Sequence, residues 1–215
     1  MNKSILLNTS LLKTLRFNIH YFGFKSIFNP KVIISRKTKF IQMKGKVVIG
    51  PKVKIVKIGY GTIGIFDNKY ERTLIQNSGT IVFNGNAVIG SGSRIVNQGK
   101  ITFGDNFNIS ARSNIICYKS VEFGNDVLLS WNCQIIDNDF YKILSLQDGT
   151  IQNECRSITI GSHVWICSNT IILKGSVVPN NSVISANSFI NKELTQENVV
   201  YSNNKIIKTN IDWKH

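Results

Sequence analysis

Few side chains in this 215-residue chain could move a proton or attack a carbonyl. The candidates are His163, His20, the run Asp137-Asn138-Asp139-Phe140-Tyr141, and four cysteines, Cys117, Cys133, Cys155 and Cys167. Taking a proton from an alcohol at neutrality needs a base with a pKa near 7, held within hydrogen-bond reach. Histidine meets that requirement unperturbed, so His163 is one candidate base, with a plain surface corner residue as the alternative. His20 cannot be placed. A phenol such as Tyr141, near pKa 10, is almost wholly protonated but can still orient a hydroxyl. Asp137 or Asp139 would serve only if desolvation raised its pKa; otherwise they anchor a loop. The cysteines show neither CxxC spacing nor histidine partners, so no metal site is expected. They read as reduced thiols of a cytoplasmic protein, and no activating base accompanies Cys167 to make it a nucleophile.

The elements that would position these residues follow from a repeat. Ile81-Val82-Phe83-Asn84, Ile101-Thr102-Phe103-Gly104 and Val121-Glu122-Phe123-Gly124 align at a spacing of twenty, and Val47–Gly50 and Ile158–Gly161 repeat the phrase. Within each copy an aliphatic or aromatic residue returns every sixth position: Phe83, Ile89, Ile95; Phe103, Ile109, Ile115; Phe123, Leu129, Ile135. From Ile160 the step of six runs through Ile166, Ile172, Val178, Ile184 and Ile190. An α-helix of 3.6 residues per turn would scatter such positions around its axis, and hairpin signals are missing. Six residues suit one short strand plus a corner, and three such sides close a rung whose apolar residues stack along the axis. Asn84-Gly85-Asn86, Gly90, Gly92, Gly104 and Asn106 suit corners in left-handed backbone conformations. Thr170, Ser176, Ser182 and Ser188, four places after each aliphatic position, fit tight corners.

Two segments break the pattern. Phe123 and Ile160 lie 37 residues apart where a rung takes twenty, so a loop at about 137–156 must protrude, and long loops in compact domains are usually functional. Before Gly45 the hexads fail: Ile5 to Leu15 has loosely helical spacing, while Phe17, Ile19 and Tyr21 alternate as in a strand. The expected organisation is therefore a basic cap over 1–44, a parallel β-helix over 45–193 and a tail over 194–215, the cap covering the open strand edges. Thirteen of the 26 Lys and Arg residues fall between Lys3 and Lys57, and no Asp or Glu precedes Asp67. That block is either a solvated face or a contact for something anionic, such as the cytoplasmic leaflet or an acidic glycan. No nucleic-acid module accompanies it. No apolar run reaches membrane-span length and no secretory signal is evident.

The stretch from Leu129 to Lys192 resembles the hexapeptide-repeat O-acetyltransferases that modify bacterial cell-surface polysaccharides. The phrases that carry the resemblance are Ser130-Trp131-Asn132, Asp137-Asn138-Asp139-Phe140-Tyr141, Ser145-Leu146-Gln147-Asp148-Gly149, Ile160-Gly161-Ser162-His163-Val164-Trp165-Ile166, Ile172-Leu173-Lys174-Gly175 and Asn180-Asn181-Ser182-Val183-Ile184. The resemblance implies an all-β, left-handed parallel β-helix assembled as a homotrimer, with acetyl-CoA bound between subunits and a carbohydrate acceptor. It also implies direct transfer, with a histidine at the end of the Asp-x-Asp-aromatic phrase as base. Tyr141 stands at that position, with Asp139 in the same phrase. Trp165 matches a tryptophan lining the acetyl and acceptor site, or simply covers the coil corner. Cys167 and Ser185 replace family glycines beside the pantetheine arm, where Ala186 adjoins Ser185. Lys205 matches a lysine that approaches the coenzyme phosphates, and Lys192 is a second candidate. Tyr201-Ser202-Asn203-Asn204-Lys205 stands for the family's Gly-Asn-Pro-Ala-Lys phrase.

Two functional readings follow. One is a cytoplasmic acetyl-CoA-dependent O-acetyltransferase acting on a sugar hydroxyl in surface-polysaccharide synthesis. The other is a catalytically silent member of the same fold with a binding or assembly role. Binding of the inner membrane face or a glycan through the basic segment is a separate reading compatible with either.

Overall fold

The computed structural model describes residues 3–61, 63–67 and 69–214. Its strands form three sheets of nine, seven and six strands, the faces of a triangular coil. Each rung contributes one strand to each face. In the fourth rung these are Phe107–Ala111 on the first face, Asn114–Cys117 on the second and Ser120–Phe123 on the third. Pairing between rungs is parallel, with Phe83 opposite Phe103, Phe103 opposite Phe123, and Phe123 opposite Ile160. Backbone groups are thus satisfied by the rungs above and below rather than within a rung.

The six-residue spacing is the axis of this coil. Every position of that series from Phe83 to Ile190 is at most 2% exposed. Phe83, Phe103 and Phe123 stack with centroids 5.1 and 5.5 Å apart and planes within 17° and 5°, and Phe107 tilts against the last two. Emptying the middle position by Phe103→Ala leaves a void no neighbour can fill, a loss of about 3–5 kcal/mol. Thr170, Ser176, Ser182 and Ser188 are buried at the corners, and Ser176 Oγ donates to the carbonyls of Leu173 and Ile190.

The corner glycines divide into two kinds. Gly92 and Asn106 adopt left-handed conformations, as expected. Gly104, Gly90 and the run Asn84-Gly85-Asn86 do not; at Gly104 and Gly90 the need for glycine is proximity. A Cβ on Gly104 would lie 2.2 Å from the carbonyl oxygen of Gly124, and one on Gly90 2.4 Å from that of Ile109. The left-handed positions of the later rungs are mostly held by asparagine, with Arg112, Asp126, His163 and Gly175 as exceptions in the coil and Phe140 and Gly149 in the loop.

The ends differ from expectation. Helix α1 is Lys3–Asn8 and helix α2 is Leu11–Phe22. Phe17, Ile19 and Tyr21 lie in α2, not in a strand. The relevant spacing is Thr14, Phe17, Asn18 and Tyr21, one helical face turned inward, started by Ser10, whose Oγ accepts from the Lys13 amide. The coil also starts earlier than residue 45: Val32–Ile34 pairs with Val56–Ile58 and Thr38–Met43 with Thr73–Asn77. A second excursion, 59–72, interrupts the second rung and went unanticipated. It is tied back by Arg112, which pairs with Glu71 and lies over the Phe66 ring at 4.4 Å. Beyond residue 193, Val199–Ser202 extends the first face and turns into the antiparallel strand Lys205–Thr209.

Candidate functional site

The long loop leaves the coil after the strand Gln134–Ile136 on the second face and returns at Ile158–Ile160 on the third. Its exit is pinned by Asp137, fully buried, whose two carboxylate oxygens accept the amides of Tyr118 at 2.7 Å and Lys119 at 2.8 Å. Its body is pinned by Asp139, which takes an ion pair from Lys174 and a 2.9 Å hydrogen bond from Asn153 Nδ2. These two donors hold the Asp139 carboxyl below the usual aspartate range, which suits a tether and opposes service as a base near pH 7. Asn153 Nδ2 also donates to the Tyr141 carbonyl, and the Ile143 amide donates to Asn153 Oδ1. The loop is therefore held by its backbone while Phe140, Tyr141, Ile143, Leu144 and Leu146 point outward; Tyr141 is 87% exposed.

Trp165 sits on the first face in Val164–Ile166, outward between two core residues. Its Nε1 donates to Ser130 Oγ at 3.0 Å, one rung back. His163 occupies the preceding corner with φ 55°. Nδ1 meets Asp126 Oδ2 at 2.5 Å and Nε2 meets Asp212 Oδ1 at 3.0 Å. The bond to Asp126, ahead of the one to Asp212, raises the ring's pKa against a smaller desolvation effect. The carboxylates of Asp126 and Asp212 thus engage both ring nitrogens, and neither is directed at an acceptor hydroxyl. Trp213 stacks on the imidazole at 4.6 Å and 13°, tilts toward Trp165 at 6.1 Å, and donates Nε1–H to the His163 carbonyl at 3.0 Å. Asp126, Asp212 and Trp213 were not foreseen. The tail that supplies two of them has no repeat to index it.

Cys167 and Ser185 share the corner between the first and second faces, the Cys167 amide donating to the Ile184 carbonyl and the Ser185 amide to that of Tyr201. Neither residue has a left-handed φ, so a side chain in place of glycine strains no backbone here and acts only by filling space. Burial pushes the Cys167 thiol up to about 11, which keeps it protonated and non-nucleophilic at neutral pH. Cys133, pushed by burial to about 11, and Cys117, pushed by burial and then by Asp137 to about 12, are likewise inert. Ala186 follows Ser185 along the corner. Lys192, after the strand Phe189–Ile190, and Lys205, at the start of Lys205–Thr209, are both exposed near the C-terminal end. His20 lies in α2, with Nε2 at 2.7 Å from the Met43 carbonyl, on the first rungs and far along the coil from these residues. Among the described residues no group of three or more His, Cys, Asp or Glu could hold a metal.

The candidates therefore fall on separate edges of one subunit. Tyr141 and Asp139 ride on the loop between second and third faces, His163 marks the corner between third and first, and Cys167, Ser185 and Ala186 mark that between first and second. His163 and Trp165 are brought together by Trp213; among the described residues no hydrogen bond or ion pair joins Tyr141 to either.

Two solved structures share this architecture. The crystal structure of a polysialic-acid-specific acetyltransferase, NeuO, superposes with a TM-score of 0.56 at 22% identity, covering 83% of each chain. That of the polysialic acid O-acetyltransferase OatWY gives 0.56 at 23% identity, covering 86% of this chain and 87% of its own. This chain has their fold. It is a left-handed parallel β-helix. The chain matches no protein-family model.

Proposed function

We propose that the protein is an acetyl-CoA-dependent O-acetyltransferase that acylates a sugar hydroxyl of a surface polysaccharide, working as a trimer with its sites between neighbouring copies. The observation that carries this reading is the loop, tethered through Asp137 and Asp139 yet presenting Tyr141, Ile143, Leu144 and Leu146 to solvent. Apolar side chains held outward on a fixed backbone suit a surface that packs on another copy. Such packing would also unite residues that one subunit keeps on different edges. Two neighbours of the same fold are named for acetyl transfer to a sialic acid polymer, which supports a glycan acceptor.

In this reading the pantetheine arm runs along the Cys167, Ser185 and Ala186 corner, Lys192 and Lys205 face the coenzyme phosphates, and Trp165 borders the acceptor. The acceptor oxygen bonds to the acetyl carbon as the carbon–sulfur bond breaks, and the hydroxyl proton passes to the departing thiolate. Tyr141 orients that hydroxyl, and water or another base relays its proton to the sulfur. A second reading, a catalytically silent homologue, is favoured by a specific pair of facts: a phenol at the base position, and a histidine whose two nitrogens both face carboxylates.

Titration calorimetry with acetyl-CoA tests the first reading. A dissociation constant below about 1 mM is expected, equivalent to about −4 kcal/mol; absence of binding at millimolar coenzyme would end it. Where the coenzyme binds, a Tyr141→His variant separates the two readings. A gain of about a hundredfold or more in transfer identifies the natural chain as impaired, and unchanged turnover points to another base. Sedimentation equilibrium checks the trimer.

A further inference from the structure

We propose that the N-terminal cap is a docking surface for an anionic lipid bilayer. Helix α2 buries Thr14, Phe17 and Asn18 against the coil, which turns Leu12 and Arg16 to the opposite side at 100° per residue, while Leu15 and Ile19 are half-buried. On that outer side Leu12 is 78% exposed, and Leu11 at the start of α2 and Leu7 in α1 are similarly bare. The single 3-10 turn that follows, Phe24–Ile27, leads into Phe28, and both Phe24 and Phe28 (92% exposed) project from it. Large apolar residues do not stand out in such numbers by accident on a segment that already has a core to enter.

The same segment is cationic and nothing within it offsets the charge, because no Asp or Glu precedes Asp67. None of Arg16, Lys25, Lys37, Lys39 and Arg72 forms an ion pair among the described residues. Between α2 and the strand Thr38–Met43 lies an open groove of about 340 Å³ lined by Lys13, Arg16, Lys39 and Arg72 around Phe40. Its chemistry is that of a phosphate headgroup site beside an apolar patch. Lys13 is turned partly inward, donating to the carbonyls of Arg36 and Thr38.

Other occupants fit less well. A second copy would bring an equally cationic cap, and the two would repel. An acidic glycan would satisfy the lysines but would leave Leu12, Phe24 and Phe28 in water. A bilayer interface takes both, apolar side chains entering the acyl boundary while Lys and Arg stay with the phosphates. The cap closes one end of the coil, a position that side-by-side assembly of subunits leaves open. The inference does not depend on the transferase reading.

Sedimentation of the full chain with sucrose-loaded vesicles is the test. On vesicles holding roughly a third phosphatidylglycerol at low salt, partitioning should exceed that on pure phosphatidylcholine by about tenfold or more, and about 0.5 M salt should reverse it. The exposed double variant Leu12→Glu with Phe28→Glu should lose the binding while its circular dichroism and melting temperature stay those of the parent. Equal partitioning to both vesicles, no binding to anionic vesicles, or a double variant that binds like the parent would each overturn the proposal. So would retention on a soluble acidic polysaccharide without any vesicle binding, which would assign the groove to a glycan.

Discussion

The two ends of the coil solve one problem in opposite ways. Each must stop a parallel ladder whose last strand offers unpaired N–H and C=O groups. At the N-terminal end a helix stands in for the missing rung. Asn18 accepts from the Val32 amide at 3.3 Å and donates to the Val32 carbonyl at 2.7 Å, Thr14 Oγ1 accepts from the Ile34 amide at 3.0 Å, and the Ser10 amide donates to the Ile34 carbonyl at 2.8 Å. At the C-terminal end the last strand of the first face folds back on itself. Lys205–Thr209 lies antiparallel on Val199–Ser202, exposed along its length and bearing Lys205 and Lys208, charge that discourages further pairing. The chain then crosses to His163 and is fastened by Asp212 and Trp213. One end is closed by buried, uncharged hydrogen bonds; the other is held by exposed charge and one aromatic stack. The first should fail all at once, and the second should loosen by degrees.

The largest effect that follows is at Asn18. An Asn18→Leu replacement keeps the volume but removes every bond the side chain makes to Val32, at a site with no solvent access. A buried amide and carbonyl left without partners should lower stability by about 2–4 kcal/mol. In thermal unfolding this appears as a lower melting temperature. In hydrogen exchange, Val32 to Ile34 should lose protection before any later rung. A melting temperature within error of the parent would show that α2 is only a cover, and the contrast between the ends would collapse.

The coil itself was legible because its core is written in one alphabet. From Phe83 to Ile190 each axial place is aliphatic or aromatic, and the spacing of six admits few geometries. The cap was misread because the inward face of α2 includes Thr14 and Asn18, polar residues chosen for their hydrogen bonds, so its apolar residues lost helical periodicity and Phe17, Ile19 and Tyr21 mimicked a strand. The start of the coil was placed too late since the first rung carries Lys37, Lys39, Lys44 and Lys46 and lacks clean hexads. The loop at 137–156 could be foreseen as a surplus in the count, but its tethers could not. Lys174 reaches Asp139 across 35 residues, and Asp126 meets His163 only because the register of the first face sets Val127 beside Val164. Asp212 and Trp213 belong to a segment without any repeat.

At the C-terminal end the expected losses are smaller and local. Trp213→Ala removes the stack on His163 and the indole bond to its carbonyl. Trp213 is buried, 6% exposed, and in a core its loss would cost about 3–5 kcal/mol, but the segment that carries it can detach without unfolding the coil, so about 1–3 kcal/mol is expected. Amide exchange should accelerate between Lys205 and Lys214 and stay unchanged at Ile101 to Phe103. Acceleration that spreads into the coil would mean that this segment holds the last rungs together.

The smallest effect, and the one specific to this end, is a dependence on pH. His163 has a raised pKa, chiefly through Asp126 and then Asp212, so its imidazolium is favoured in the folded state. That contribution is complete below the unfolded histidine value of about 6.5 and is lost as pH rises through the higher folded value. Asp212 has a lowered pKa, chiefly through His163, so its contribution holds above about 3.8 and disappears as pH falls through the lower folded value. The fastening should be tightest in mildly acidic solution and weaken on either side. The indole N–H of Trp213 reports it through its protection, the exchange rate relative to a free indole at the same pH, highest in that window and lower toward alkaline and strongly acidic pH. A His163→Gln variant should flatten both limbs, because each partner titrates against the other. The buried bonds of Asn18 involve no titrating group, so the Val32 to Ile34 amides should show no matching dependence. If they followed the same curve, the two closures would be one cooperative unit, and the difference between the ends would be one of chemistry alone.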